Sequence, residues 1–227
     1  MTAARGAISV VVGTVLLRLA LTGVYQRYLR VGMRPWLVIT GIVVVVLGIA
    51  AVLRPDDDES DDHEHDHHGS GRLGWLLLAP IAVLLLVAPP SLGSFAVDRA
   101  NAVDIRAGNT TFDPLPAGEH DLTLLELSQR AVDHDGASLE GATVRLTGFV
   151  AATGRPFRLA RYQIACCAAD AAPIVVRIAG AHGDPPERDQ WVTITGTYRP
   201  GSAEGDHFPI VDATSITEIP PPEDPYE

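Results

Sequence analysis

Long apolar runs open the chain, and short alternating runs close it. The first apolar block spans Gly6 to Tyr25 and is broken only by Arg18. The second, Pro35 to Leu53, and the third, Leu73 to Val97, carry no charge. Each is close to the roughly 20 residues that a helix needs to cross a bilayer. A cleaved leader has a shorter apolar stretch and a small-residue cleavage site. The pattern therefore predicts a membrane region over residues 1–97 with three transmembrane helices, at about 6–25, 35–53 and 73–97. Arg18 lies toward the arginine-rich end of its block, where its stem can reach the interface. Pro80 and the pair Pro89–Pro90 predict a kink and then an end to the third helix.

From Asp98 onward the pattern becomes that of a water-soluble domain. A connector over 98–140 contains one amphipathic stretch, 122–133, in which Thr123 and Glu126 have capping-box spacing and Leu124 and Leu127 share a face. Alternating runs follow at 143–150, 157–167, 173–178, 191–198 and 208–219. Gly148 and Gly196 fall inside two of them, and interior glycines suit tight bends. Five short strands at this spacing predict a small OB-like five-stranded β-barrel over 141–219, ahead of a proline-rich tail at 220–227. The fold class expected is membrane α plus soluble β.

Charge divides the chain in the same way. The formal net charge of −11 over 227 residues is an average of unlike parts. Residues 1–53 hold five arginines and no acid, whereas 98–227 hold ten arginines and twenty acids. Counting arginines around three spans gives five on the side of the first loop and the C-terminal region against three on the other. That balance predicts a multi-pass protein of a bacterial cell membrane, in contact with the lipid bilayer, with the C-terminal domain cytoplasmic. A nucleic-acid partner is not expected, because a strand-binding groove needs net positive charge and stacking aromatics.

The loop at 54–72, "RPDDDESDDHEHDHHGSGR", packs eight acids and four histidines with no apolar residue, so it cannot build a core. His63, His65, His67 and His68 alternate with Glu64 and Asp66, and imidazole with carboxylate suits zinc or another transition metal ion. Nothing in the run fixes a tetrahedral geometry. Low-affinity metal capture and a merely solvated charge run both fit it.

The two cysteines stand together in "ACCAAD". If a strand ran through them, period-two alternation would put Cys166 on the face of Tyr162 and Ile164, and Cys167 on the face of Arg161 and Gln163. Both thiolates can then meet one ion only if the backbone turns there. Three readings remain. The pair fills a strand wall as small buried residues. Or it binds a metal, completed by Asp170 or by a distant histidine such as His182 or His207. Or it performs thiol redox chemistry, favoured if Arg158 or Arg161 lowers a thiolate pKa. His120, His134, His182 and His207 are scattered, and no nucleophile–histidine–acid arrangement is legible. The expectation is a protein that is not an enzyme, with a membrane-anchored thiol redox protein as the alternative.

These features, together with "PPSLGS" at 89–94, "LTGFV" at 146–150, "ACCAADAAP" at 165–173, "WVTITGTY" at 191–198 and the ending "IPPPEDPYE", resemble the YcgQ-type bacterial membrane proteins. The CCxAD signature is the most specific part and maps to Cys166, Cys167 and Asp170. The resemblance implies an accessory subunit of a permease of the YcgR type, linked to zinc or other metal homeostasis. It raises the site reading of Cys166, Cys167 and Asp170 above simple packing.

Overall fold

The computed structural model describes residues 2–53, 79, 83, 92–99, 111–180, 184–203 and 208–227. Contacts divide the chain into two units: residues 1–26 with 31–90, and residues 27–30 with 91–227.

The first unit is built on two helices, α1 (Thr2–Thr22) and α2 (Arg34–Leu53). Helix α1 stops three residues short of its apolar block because Gly23 takes a left-handed φ of 74°. Glycines at a seven-residue spacing on each helix set their packing. A Cβ on Gly13 would lie 2.9 Å from the carbonyl oxygen of Gly41, and one on Gly6 would lie 2.8 Å from that of Gly48. Only a missing side chain permits such close backbone approach, which is how small residues join apolar helices. Gly13→Val is therefore expected to separate α1 from α2, at a cost of about 1–3 kcal/mol or more. Cysteine crosslinking between the two helices in detergent checks it, and unchanged crosslinking efficiency would refute the glycine contact.

Residues Val31–Leu53 form a helical run long and apolar enough to cross a membrane. Ile39, Ile42, Val46 and Leu47 are exposed along it, and exposed apolar area of this extent calls for an apolar covering. Among the described residues there is one such helix, and the expectation of three transmembrane helices is corrected to that. The first block yields only a shorter apolar helix, Gly6–Thr22. Most of the third block lies outside the described residues. Its described end forms a separate one-turn helix, α3 (Ser94–Val97), within the second unit. Among the described residues a multi-pass topology is not supported, and the cytoplasmic placement, which rested on counting three crossings, loses that basis.

The second unit is a six-stranded mixed sheet, not the expected five-stranded OB-like barrel. Its strands are β1 (Gly118–Asp121), β2 (Ala142–Ala152), β3 (Phe157–Gln163), β4 (Ala172–Ala179), β5 (Trp191–Tyr198) and β6 (Ile210–Ile219). Their order is β1-β2-β3-β4-β6-β5, with a further β2–β5 pairing. The extra strand, β1, lies in the expected connector and pairs parallel with β2, as β4 does with β6. Helix α4 (Leu124–Val132) starts at Thr123, whose hydroxyl accepts from the Glu126 amide at 3.0 Å.

Two apolar clusters hold this unit together. In one, Leu124, Leu127 and Ala131 of α4 pack with Val144, Leu146, Val176 and Ile194. In the other, Phe149 stacks on Tyr162 (centroids 5.8 Å apart) and meets Trp191 edge-on at 5.6 Å. The second cluster lies where β3 ends, and so beside the approach to the cysteines. Tyr162 donates its hydroxyl to the Gly93 carbonyl at 2.9 Å, and burial pushes its pKa up to about 12.

Candidate metal centre at the Cys166–Cys167 turn

The β3 strand ends at Gln163, so neither cysteine lies on a regular strand. Extending the alternation to Cys167 was mistaken, because Asp170 draws the backbone into a turn. Its Oδ1 accepts the Ala165 amide at 2.8 Å, and its Oδ2 accepts the amides of Cys166 and Cys167 at 2.9 and 3.2 Å. A one-turn 3₁₀ helix, Ala168–Asp170, follows, with the Asp170 amide donating to the Cys167 carbonyl at 3.0 Å. The carboxylate thus satisfies three successive amides that would otherwise need water.

The Cys166 thiol closes the arrangement by donating to Asp170 Oδ2 at 3.0 Å. The ligand atoms of Cys166, Cys167 and Asp170 all lie within 4.8 Å of one another. Among the described residues, these three form the one group of histidine, cysteine and acidic side chains close enough to share an ion. Cys166 is exposed and Cys167 half-buried, so an ion has access from solvent.

Electrostatics fix the protonation states. The Cys166 thiol is pushed up to about 12, first by its hydrogen bond to the Asp170 carboxylate and then by its contact with the Cys167 thiol. Asp170 is lowered to about 2, because the Cys166 thiol and then the backbone amides stabilise its charged form. At neutral pH the turn therefore holds a protonated thiol against an ionised carboxylate. A free thiol in that state is a poor nucleophile. A metal ion would be the exception, because binding it would displace the thiol proton. Cys166, Cys167 and Asp170 would offer such an ion two sulfurs and one carboxylate oxygen.

The arginines that would favour redox chemistry are engaged with other groups. Arg158 pairs with Asp98 at 2.8 Å, and Arg161 donates to the carbonyls of Asp224 and Tyr226 at 2.7 and 3.2 Å. His120 bonds the Pro116 carbonyl and His134 bonds Asp133. His63, His65, His67, His68, His182 and His207 lie outside the described residues.

Two participants gave no sequence signal for this site. One is the tail, which docks through a parallel bridge between Tyr162 and Tyr226. There the Glu227 carboxylate accepts the first amides of α4, from Leu124 and Leu125, at 2.9 and 3.0 Å. The other is the segment 27–30, whose backbone pairs with the cysteine turn.

Fold and site together define a protein with an apolar helical unit and a mixed-sheet unit that presents a thiol–carboxylate turn. Family models for the DUF1980 N-terminal domain and the DUF1980 C-terminal domain match residues 4–101 and 129–227, and the chain belongs to this uncharacterised family. No curated protein and no solved structure matches the chain.

Proposed function

We propose that this protein is a membrane-anchored accessory subunit of a permease and holds a transition metal ion, zinc or one of similar affinity for sulfur, at Cys166, Cys167 and Asp170. The observation that carries the metal reading is the convergence of two sulfurs and a carboxylate within 4.8 Å on one hydrogen-bonded turn. The apolar run Val31–Leu53 supports the anchor. The resemblance to YcgQ-type proteins, finer than the family match, supports a YcgR-type permease as partner. The histidine run 63–68 has the donor chemistry to collect the same ions weakly.

Thiol redox chemistry is the second reading, and the raised Cys166 pKa disfavours it. Elemental analysis of the reduced full-length chain, desalted after exposure to zinc, should find about one retained ion per chain, lost in the double variant C166S/C167S. Absence of retained metal in the unaltered chain would sink the metal reading. Repeated failure to co-purify with a YcgR-type permease in mild detergent would count against the subunit role.

A further inference from the structure

The cysteine turn is held from both sides. Asp170 holds it from within, and the segment Arg27–Arg30, which belongs by contact to the sheet unit, holds it from without. Leu29 and Cys167 form an antiparallel bridge. Around it the Ala168 amide donates to the Tyr28 carbonyl at 2.7 Å, and the Arg30 amide donates to the Cys166 carbonyl at 3.2 Å. These two bonds flank Cys167, so they fix the peptide planes on either side of the second sulfur. Segment 27–30 is itself tied down, because the Tyr226 hydroxyl donates to the Arg27 carbonyl.

We infer that Tyr28–Arg30 is a positioning segment of the sulfur site. By fixing the peptide planes on either side of Cys167 it sets how the two sulfurs are presented, and thereby their access and metal affinity. The metal part rests on the function proposed above, whereas the thiol part stands without it. Linkage makes the effect reciprocal: if docking of 27–30 strengthens metal binding by some factor, metal strengthens docking by that same factor. Recognition here runs through backbone groups, so side-chain changes are tolerated and loss of an amide is not.

The test compares Arg30→Pro, which removes the donor to Cys166, with Arg30→Ala, which keeps it, in the full-length chain in detergent. Iodoacetamide labelling of Cys166 and Cys167 is followed by peptide mass spectrometry at one fixed pH, and zinc affinity is measured on the same samples. Arg30→Pro should change the labelling rate of the pair and weaken zinc about fivefold or more, the lower range of ordinary coupling. Arg30→Ala should match the unaltered chain in both. Hydrogen exchange on the unaltered chain guards against misfolding of the proline variant: zinc should slow exchange in peptides covering 27–30 and 165–171 together. If zinc binds and neither peptide changes, or if the proline and alanine variants label alike, the positioning role is overturned. If zinc does not bind at all, the metal reading fails, and the labelling comparison alone decides for or against positioning.

Discussion

Asp170→Asn is expected to make Cys166 react with iodoacetamide at pH 8 at least tenfold faster. With its pKa at about 12, the thiol has roughly one part in ten thousand as thiolate at that pH. At the ordinary value of 9.0, the fraction is roughly one in ten, about a thousandfold more. A thiolate of lower pKa is intrinsically a weaker nucleophile, which trims the gain to about fortyfold. Solvent screening at this exposed turn reduces it further, leaving tenfold as the expected floor. Asparagine keeps one acceptor oxygen and turns the other into a donor, so the variant removes the charge together with part of the hold on the amides of residues 165–167. An unchanged rate would mean that the carboxylate does not control the thiol.

The same two shifts set the pH range of the turn. Asp170, lowered to about 2, contributes stability that is present above its ordinary 3.8 and is lost as pH falls toward 2. Cys166, raised to about 12, contributes stability that is present below 9.0 and is lost as pH rises toward 12. Between those limits the resting turn is intact, and metal must compete with the thiol proton. Metal affinity should accordingly rise with pH across the neutral range.

Phe149→Ala is expected to have the largest effect on stability, about 3–5 kcal/mol. Phe149 is 2% exposed and pairs with Ala160 on β3 and Trp191 on β5. Removing its ring leaves a cavity between Tyr162 and Trp191 and forfeits both ring contacts, each worth about 0.5–1.5 kcal/mol beyond burial. Phe149→Leu, which refills part of the space, should cost less than half as much. Denaturant unfolding of the full chain in detergent, followed by near-ultraviolet circular dichroism, measures both. A loss below about 1 kcal/mol for the alanine variant would contradict the place given to this cluster. Tyr162 lies one residue before the end of β3, so the variant should also loosen the approach to the cysteines.

The sequence made the helices and the chemistry more legible than the sheet. Apolar runs of about twenty residues mark α1 and α2 because a helix needs no distant partner for its backbone. The α4 cap was readable because Thr123 and Glu126 interact locally. The sheet was not, because its parallel ladders join segments remote in sequence. Strand β1, "GEHD", has no alternation at all and is a strand only through its pairing with β2. The end of β3 was misplaced because alternation continues through Ile164, which is buried without being in a strand. Asp170 was nameable as a partner of the cysteines from its three-residue distance. Its hold on three amides was not, since that depends on how the turn closes. The pairing of 27–30 with the turn is made by backbone groups and leaves no pattern in side chains.

Cobalt(II) titration of the reduced full-length chain tests the metal centre most directly, because the histidine run can bind cobalt but cannot supply sulfur. The expected result is a sulfur-to-cobalt charge-transfer band that saturates near one ion per chain, appears with proton release, and is missing from the C166S/C167S variant. No such band at any cobalt ratio, with both thiols shown to be free, would contradict it.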